Sequence, residues 1–383
     1  MEYQTLMRFT MSAVLFCVSL PSLCAQTSES QASNASESWT TTTESQSSNT
    51  NPTRTTESHR QSGNSSVDTQ SVERLGPDGH YEPYLDTETE SIQVNATTVR
   101  TIVRTFRGGG SGQKILTQVT EEERQSLPDG NGKAVRTTSN PDLDGRLQIV
   151  RREDADIKKT SPDVQETKTT VFLSDGSGGL APSMRIQERE KLGSDHTVEV
   201  RKSTLLLDGA GNWQVNELKE TTIKENGKER TTEERVSRPG SDNKLALVTR
   251  SVGKESESAP GEKRHTVETY STDIPGSAPD GSLHLSQRVT TVNRARSDGG
   301  QAIEEQLERP NPGNPDAGLQ VITKTIDIVH PETSGTQETR TIQVRNASGS
   351  FGVVSVDTRK SDKVIKFDIA QPDKPKYIPA SIK

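Results

Sequence analysis

Histidines, carboxylates and serines are the residues here that could bind a metal, move a proton or attack a carbonyl, so their spacing decides which chemistry is open. The six histidines, His59, His80, His196, His265, His284 and His330, are scattered along the chain, without the close spacing that gathers zinc ligands. His196-Thr-Val-Glu199 and His265-Thr-Val-Glu268 share a motif. Duplicated strands that keep the same residues on a wet face account for it more simply than a ligand pair. Asn140-Pro-Asp142-Leu-Asp144-Gly145 has the alternating oxygen donors and the glycine that open a calcium loop, but Arg151 stands where a bidentate glutamate would close it. Pro-Asp and Asp-Gly turn chemistry explains the same residues.

Nucleophilic catalysis fares no better. The chain has no Gly-x-Ser-x-Gly elbow, and Gly108-Gly-Gly-Ser-Gly112 is a flexible turn without the lysine of a phosphate loop. Glu121-Glu-Glu123 and Glu233-Glu234 are carboxylate pairs in polar strands, where solvation rather than a raised pKa is the rule. Trp213 occupies a position held by leucine in most of its counterparts along the chain, so it reads as core rather than as a sugar platform. No catalytic, cofactor-binding or metal-binding residue is assigned, no cofactor is expected, and the chain reads as non-enzymatic.

The elements that would have to position such residues are strands. Apolar anchors fall at Tyr81, Leu116, Leu147, Leu180, Trp213, Leu245, Leu283, Leu319 and Val353, 31 to 38 residues apart. Leu147-Gln-Ile149, Trp213-Gln-Val215, Leu245-Ala-Leu247, Leu283-His-Leu285 and Leu319-Gln-Val321 each put two apolar side chains on one face of a strand. Thr/Val-rich return strands follow, as in Thr97-Thr-Val-Arg100 and Thr339-Arg-Thr-Ile342. Between them lie turns such as Gly76-Pro-Asp-Gly79 and Asp208-Gly-Ala-Gly211. Asn226-Gly227 predicts a type I′ hairpin between strands at Leu218–Glu225 and Lys228–Val236. Only Glu121–Gln125 suggests a helical turn. The expected fold is therefore all-β, an antiparallel meander of about nine two-stranded hairpin repeats of roughly 34 residues. It would form about 16 to 18 strands in an elongated twisted sheet or shallow sandwich, with a β-propeller as the alternative.

Composition sets the limits on that fold. Of 383 residues only 27% are hydrophobic and 3% aromatic, and the mean hydropathy is -0.80; one large core is excluded. Residues 1–25 read as a signal peptide, with a short apolar run from Met11 to Leu20. Both cysteines, Cys17 and Cys24, fall inside it, and Leu23 before Cys24 disfavours lipidation. Residues 26–70, rich in Ser and Thr, read as disordered. Residues 71–362 form the hairpin repeat domain, and 363–383 a Lys/Pro-rich tail. The net charge of -7, with both signs interleaved, excludes a nucleic-acid binder.

These features predict a secreted or periplasmic protein of the cell envelope, a structural or surface binding scaffold whose partner is an extracellular protein or polysaccharide. The alternative is a secreted hydrolase or propeller-type enzyme with a site between repeats. The scarcity of aromatic residues argues against the girdles of an outer-membrane barrel, so no stable membrane insertion is expected. Open sheet edges leave self-association available.

Overall fold

The computed structural model describes residues 38–109, 112–273, 281–311 and 313–362. The expected signal peptide, the tail with its candidate edge strand at Val364–Ile369, and Gly110 and Ser111 of the glycine-rich turn lie outside the described residues.

Twenty strands follow one another: β1 (Ser38–Ser47), β2 (Thr53–Ser62), β3 (Ser65–Leu75), β4 (Tyr81–Asn95) and β5 (Thr98–Gly108). Next come β6 (Lys114–Ser126), β7 (Gly132–Pro141), β8 (Leu147–Ser161), β9 (Val164–Ser174) and β10 (Leu180–Leu192). Then follow β11 (Val198–Leu207), β12 (Trp213–Asn226), β13 (Glu229–Pro239), β14 (Leu245–Ala259) and β15 (Glu262–Ser271). The last are β16 (His284–Ala295), β17 (Gln301–Asn311), β18 (Asn314–Glu332), β19 (Gly335–Arg345) and β20 (Phe351–Ser361). Each pairs antiparallel with the next, and β1 pairs antiparallel with β20. The sheet is therefore a closed barrel.

Closure corrects the expected open sheet or shallow sandwich, and a single twenty-stranded sheet replaces the propeller alternative. Strand twist accumulates across a large sheet, and joining the first edge to the last pairs backbone groups that an open sheet would leave bare. The closing strand was hidden because it lies within residues 26–70, read as disordered from their polarity. Residues 38–75 instead form β1, β2 and β3. Threonine is polar but β-branched, and the run Thr40–Thr43 suits a pleat whose neighbours supply the hydrogen bonds. Glu121–Gln125, expected as a helical turn, lies within β6.

The seam is shorter than any other junction. β1 and β20 share five residue pairs, from Thr43↔Ser361 to Ser47↔Asp357, against eight to eleven elsewhere. Bonds at both ends extend it: Thr42 N donates to Asp362 Oδ1 at 2.9 Å, Ser48 N to the Val356 carbonyl at 3.1 Å, and Val356 N to Ser48 Oγ at 3.1 Å.

One bulge recurs at nine junctions, from β3–β4 to β19–β20. The residue left without a partner is Tyr84, Thr117, Val150, Ser183, Asn216, Val248, Ser286, Ile322 or Val354, near the start of each even-numbered strand from β4 to β20. The first five are spaced 33 residues apart. Bulges sharpen local twist and bend a strand, so a ring of them curves the wall at the same height. Thr117 and Ser286 cap theirs, each hydroxyl donating to the carbonyl of Thr105 or Thr269 at 3.1 and 2.9 Å. The apolar anchors lie beside this ring and not in a core. Leu147, Ile149, Leu245 and Val353 are exposed. The buried apolar side chains, among them Ile102, Val171 and Ile223, are spread singly along the strands.

Turn chemistry departs from expectation at two places. At the β12–β13 hairpin Asn226 pairs with Glu229, so the central residues are Gly227 and Lys228. Of these only Gly227 has positive φ, 62°, which is the pattern of type II′ and not I′. His196 is the second. It sits in the β10–β11 turn at φ 62°, where most sister turns carry glycine, so it is not the counterpart of His265 within β15. A side chain in this region costs about 1 kcal/mol that glycine avoids. His196→Gly should therefore raise stability by about 0.5–1 kcal/mol, read as a higher urea midpoint with an unchanged slope.

Candidate functional site: the two faces of the barrel wall

With the strands closed, every side chain projects either outward or into the lumen. Following the register from strand to strand, the partly exposed Glu190 and His265 and the buried Glu338 all share one face. Concave curvature crowds side chains together, so this is the lumen face. It is dominated by threonine, including Thr43, Thr55, Thr87, Thr89, Thr120 and Thr138. Near the seam it carries a charged cluster: Arg340 reaches Asp327 bidentately at 2.8 and 2.9 Å and Glu338 at 3.7 Å.

The outer face is a ladder of ion pairs at mid-strand. Arg104 meets Glu88 at 2.7 Å and Glu90 at 3.4 Å, and Arg250 meets Glu233 at 2.8 Å. Arg288 bridges Glu268 and Glu308 at 2.9 and 3.2 Å. Cross-strand pairs of this kind, in the open, contribute a few tenths to 1 kcal/mol each. Among the described residues neither face carries a continuous apolar band.

The strands end in turns whose aspartates are fully used. Asp142 Oδ1 accepts from Asp144 N at 2.9 Å and Arg146 N at 2.8 Å, and its Oδ2 from Gln148 Nε2 at 3.1 Å. These bonds, the Arg146 amide foremost, hold its carboxyl below the usual range. Asp208 repeats the arrangement with Asn212 N at 2.8 Å and Ala210 N at 2.9 Å. The residues that resembled a calcium loop thus cap their own turn. Asp298, in the β16–β17 turn, is held lowest, at about 2, first by Arg296, then by the Gly300 amide, with His330 also contributing. Its folded pKa lies below the unfolded value, so the stability it contributes is present above about pH 4 and is lost as pH falls toward 2. Asp298→Asn should flatten that part of the acid-unfolding curve and leave stability at pH 6 to 8 without pH dependence from this site, as followed by circular dichroism across a pH series.

The weighed histidines separate. His59 Nδ1 lies 2.6 Å from Asp68 and stacks on Trp39 at 5.8 Å on the lumen face. His330 reaches Asp298 at 3.1 Å, and His284 reaches Ser282 at 3.1 Å. His80 and His196 lie in turns. Among the described residues no three histidines, cysteines or carboxylates gather as metal ligands. Trp213, expected in a core, is half-exposed at the start of β12 with the Arg185 guanidinium 4.4 Å above its ring. Composition had not pointed to the site that closure creates, a polar lumen. Its only trace in the sequence is the excess of threonine at alternate positions.

The fold and its two wet faces define a closed antiparallel β-barrel with a polar interior. No protein-family model and no curated protein matches the chain. Among solved structures it is similar to the copper transporter OprC, at 7% identity and a TM-score of 0.42, over 87% of this chain and 81% of that one. The barrel assignment here rests on the strand pairing of this chain.

Closure also corrects four functional expectations. A scaffold presenting one broad face is overturned, because one face encloses a lumen. The hairpins are not units of an open-ended repeat, since the first strand joins the last. Self-association through sheet edges loses its basis with the edges paired. The expectation of no stable membrane insertion, argued from the scarcity of aromatic residues, is overturned by closure as well, because closed barrels are one of the two architectures that span bilayers. A barrel is compatible with a place in the cell envelope.

Proposed function

We propose that this chain is a non-enzymatic, water-filled channel of the cell envelope that admits hydrophilic solutes. The observation that carries the reading is the closed ladder around a polar face. Twenty strands about 4.8 Å apart and tilted by about 40° enclose a ring roughly 40 Å across between backbones. That is wider than the side chains of one face can fill, and barrels of 16 to 18 strands already leave an aqueous passage. Substantial contacts run along the ladder, apart from a close approach of β8 to β10, so the lumen is not filled by opposing walls. Threonine and paired charges along the wall favour water and polar solutes over apolar ones.

Strand lengths suit a passage of bilayer thickness, since about 9 to 11 tilted residues cross one. The outer ion-pair ladder sets a cost against hydrocarbon of about 2–4 kcal/mol for each Arg or Lys at the midplane, so partition and passage have to be measured together. Protein refolded from denaturant into lipid vesicles and planar bilayers should float with the vesicles, give stepwise conductance and admit neutral sugars in a swelling assay. Folded, closed protein that gives no conductance and admits no sugar overturns the reading.

A further inference from the structure

The lumen face carries a half-open pocket of about 230 Å³ at the barrel mouth, where the β6–β7 turn leans over the β8–β9 hairpin and the end of β10. Asn131 Oδ1 accepts from Lys159 N at 2.8 Å, which fixes the turn over the neighbouring strand. The pocket brings unlike groups together. Arg124, Lys159 and Glu190 line it beside the apolar Leu127, Ile157 and Leu192. The register places Arg124, Lys159 and Glu190 on the same, inward face.

Their charges are unspent. Glu190 Oε1 is buried without a hydrogen-bond partner, a state that costs about 1–3 kcal/mol or more for a charged group. Neither the Arg124 guanidinium nor the Lys159 ammonium has an ion-pair partner among the described residues, although outward-facing arginines on neighbouring strands are paired. A buried acceptor without a donor and two cations that form no ion pair among the described residues, around an apolar floor with Asp163 at its edge, describe the negative of a ligand. We propose that this pocket binds a small zwitterion with an apolar body, of the amino-acid or short-peptide class. Its ammonium donates to Glu190 and its carboxylate meets Arg124 and Lys159. The volume suits a ligand below drug size. The assignment is independent of the channel reading, since it requires a folded barrel but no passage of solute.

Isothermal titration of the purified full-length protein tests it with three probes of one shape: L-leucine, isoamylamine, which lacks the carboxylate, and 4-methylvalerate, which lacks the ammonium. Leucine should saturate a single site, and each truncated probe should bind at least about tenfold more weakly, a difference of about 1.4 kcal/mol. Glu190→Gln should weaken leucine by a similar factor and leave 4-methylvalerate unchanged; Arg124→Gln should do the converse for isoamylamine. The wild-type probe series needs no variant to fold. Absence of saturation by leucine at about 10 mM, the Kd of a site worth only about 2.7 kcal/mol, overturns the proposal. So does equal binding of all three probes.

Discussion

Cysteines placed at Gln46 and Thr358, with Cys17 and Cys24 changed to Ser, should oxidise to an intramolecular disulfide in nearly every molecule. These positions are paired across the seam but lie 312 residues apart in sequence. Directly opposed strand residues fall within the separation a disulfide accepts. The product is a barrel closed covalently around its circumference. It should migrate faster on a non-reducing gel and resist urea by about 2–4 kcal/mol more than its reduced form, because the bridge constrains a very long loop in the unfolded chain. An open sheet gives the opposite picture: intermolecular dimers or free thiols, and no added stability. A control pair at Gln46 and Thr222, which share no junction, should stay reduced in the monomer. The seam is the informative junction because, among the described strands, it has the fewest residue pairs and alone joins strands far apart in sequence.

That same junction explains how far the residues alone could lead. The meander was readable because its pairings are local. Leu147-Gln-Ile149 and Trp213-Gln-Val215 begin strands as their alternation implies, and Gly-rich turns separate them. Nothing local marks closure. Thr43 meets Ser361 only after every intervening strand has added its twist, and a one-strand view of Ser38–Ser47 shows polarity without a core to face. The anchors misled for a related reason. Two apolar residues at a strand start suggest burial, but Leu245 and Val353 stand at a bulged rim and are exposed. The lumen was invisible because a hollow barrel has no apolar centre, and its inner wall differs from its outer one in curvature more than in composition. Low apolar content excluded a large core correctly. A thin open sheet is one solution to that constraint, and a wall wet on both sides is another.

Gly108→Ala should cost about 3 kcal/mol or more, far beyond the roughly 1 kcal/mol typical of a single substitution. Gly108 ends β5 where that strand passes the bulge at Tyr84 in β4. A methyl group there would sit 1.7 Å from the Pro83 carbonyl oxygen and 2.6 Å from its carbon. Both are backbone atoms, so no side-chain rotation relieves the overlap. Moving β4 away breaks its ladder with β5 at Leu85↔Arg107, and moving β5 breaks its pairing with β6 at Gly108↔Lys114. In a closed barrel neither strand has a free side to retreat toward, so the strain spreads along the ring. An open sheet could relax by splaying. Gly209→Ala serves as the control, because a methyl group at Gly209 meets no atom within 4 Å; its urea midpoint should match the parent within about 0.5 kcal/mol. A Gly108→Ala protein as stable as that control would mean that the bulge yields locally, and that the wall is not held at the curvature its nine bulges imply. The same test repeated in the seam-crosslinked protein separates the two causes. If the closed ring already holds the strain with its seam shut, the cost of the methyl group is unchanged when the ring is locked. If the seam normally opens to relieve it, the cost is lower in the unlinked protein than in the linked one by the free energy of that opening.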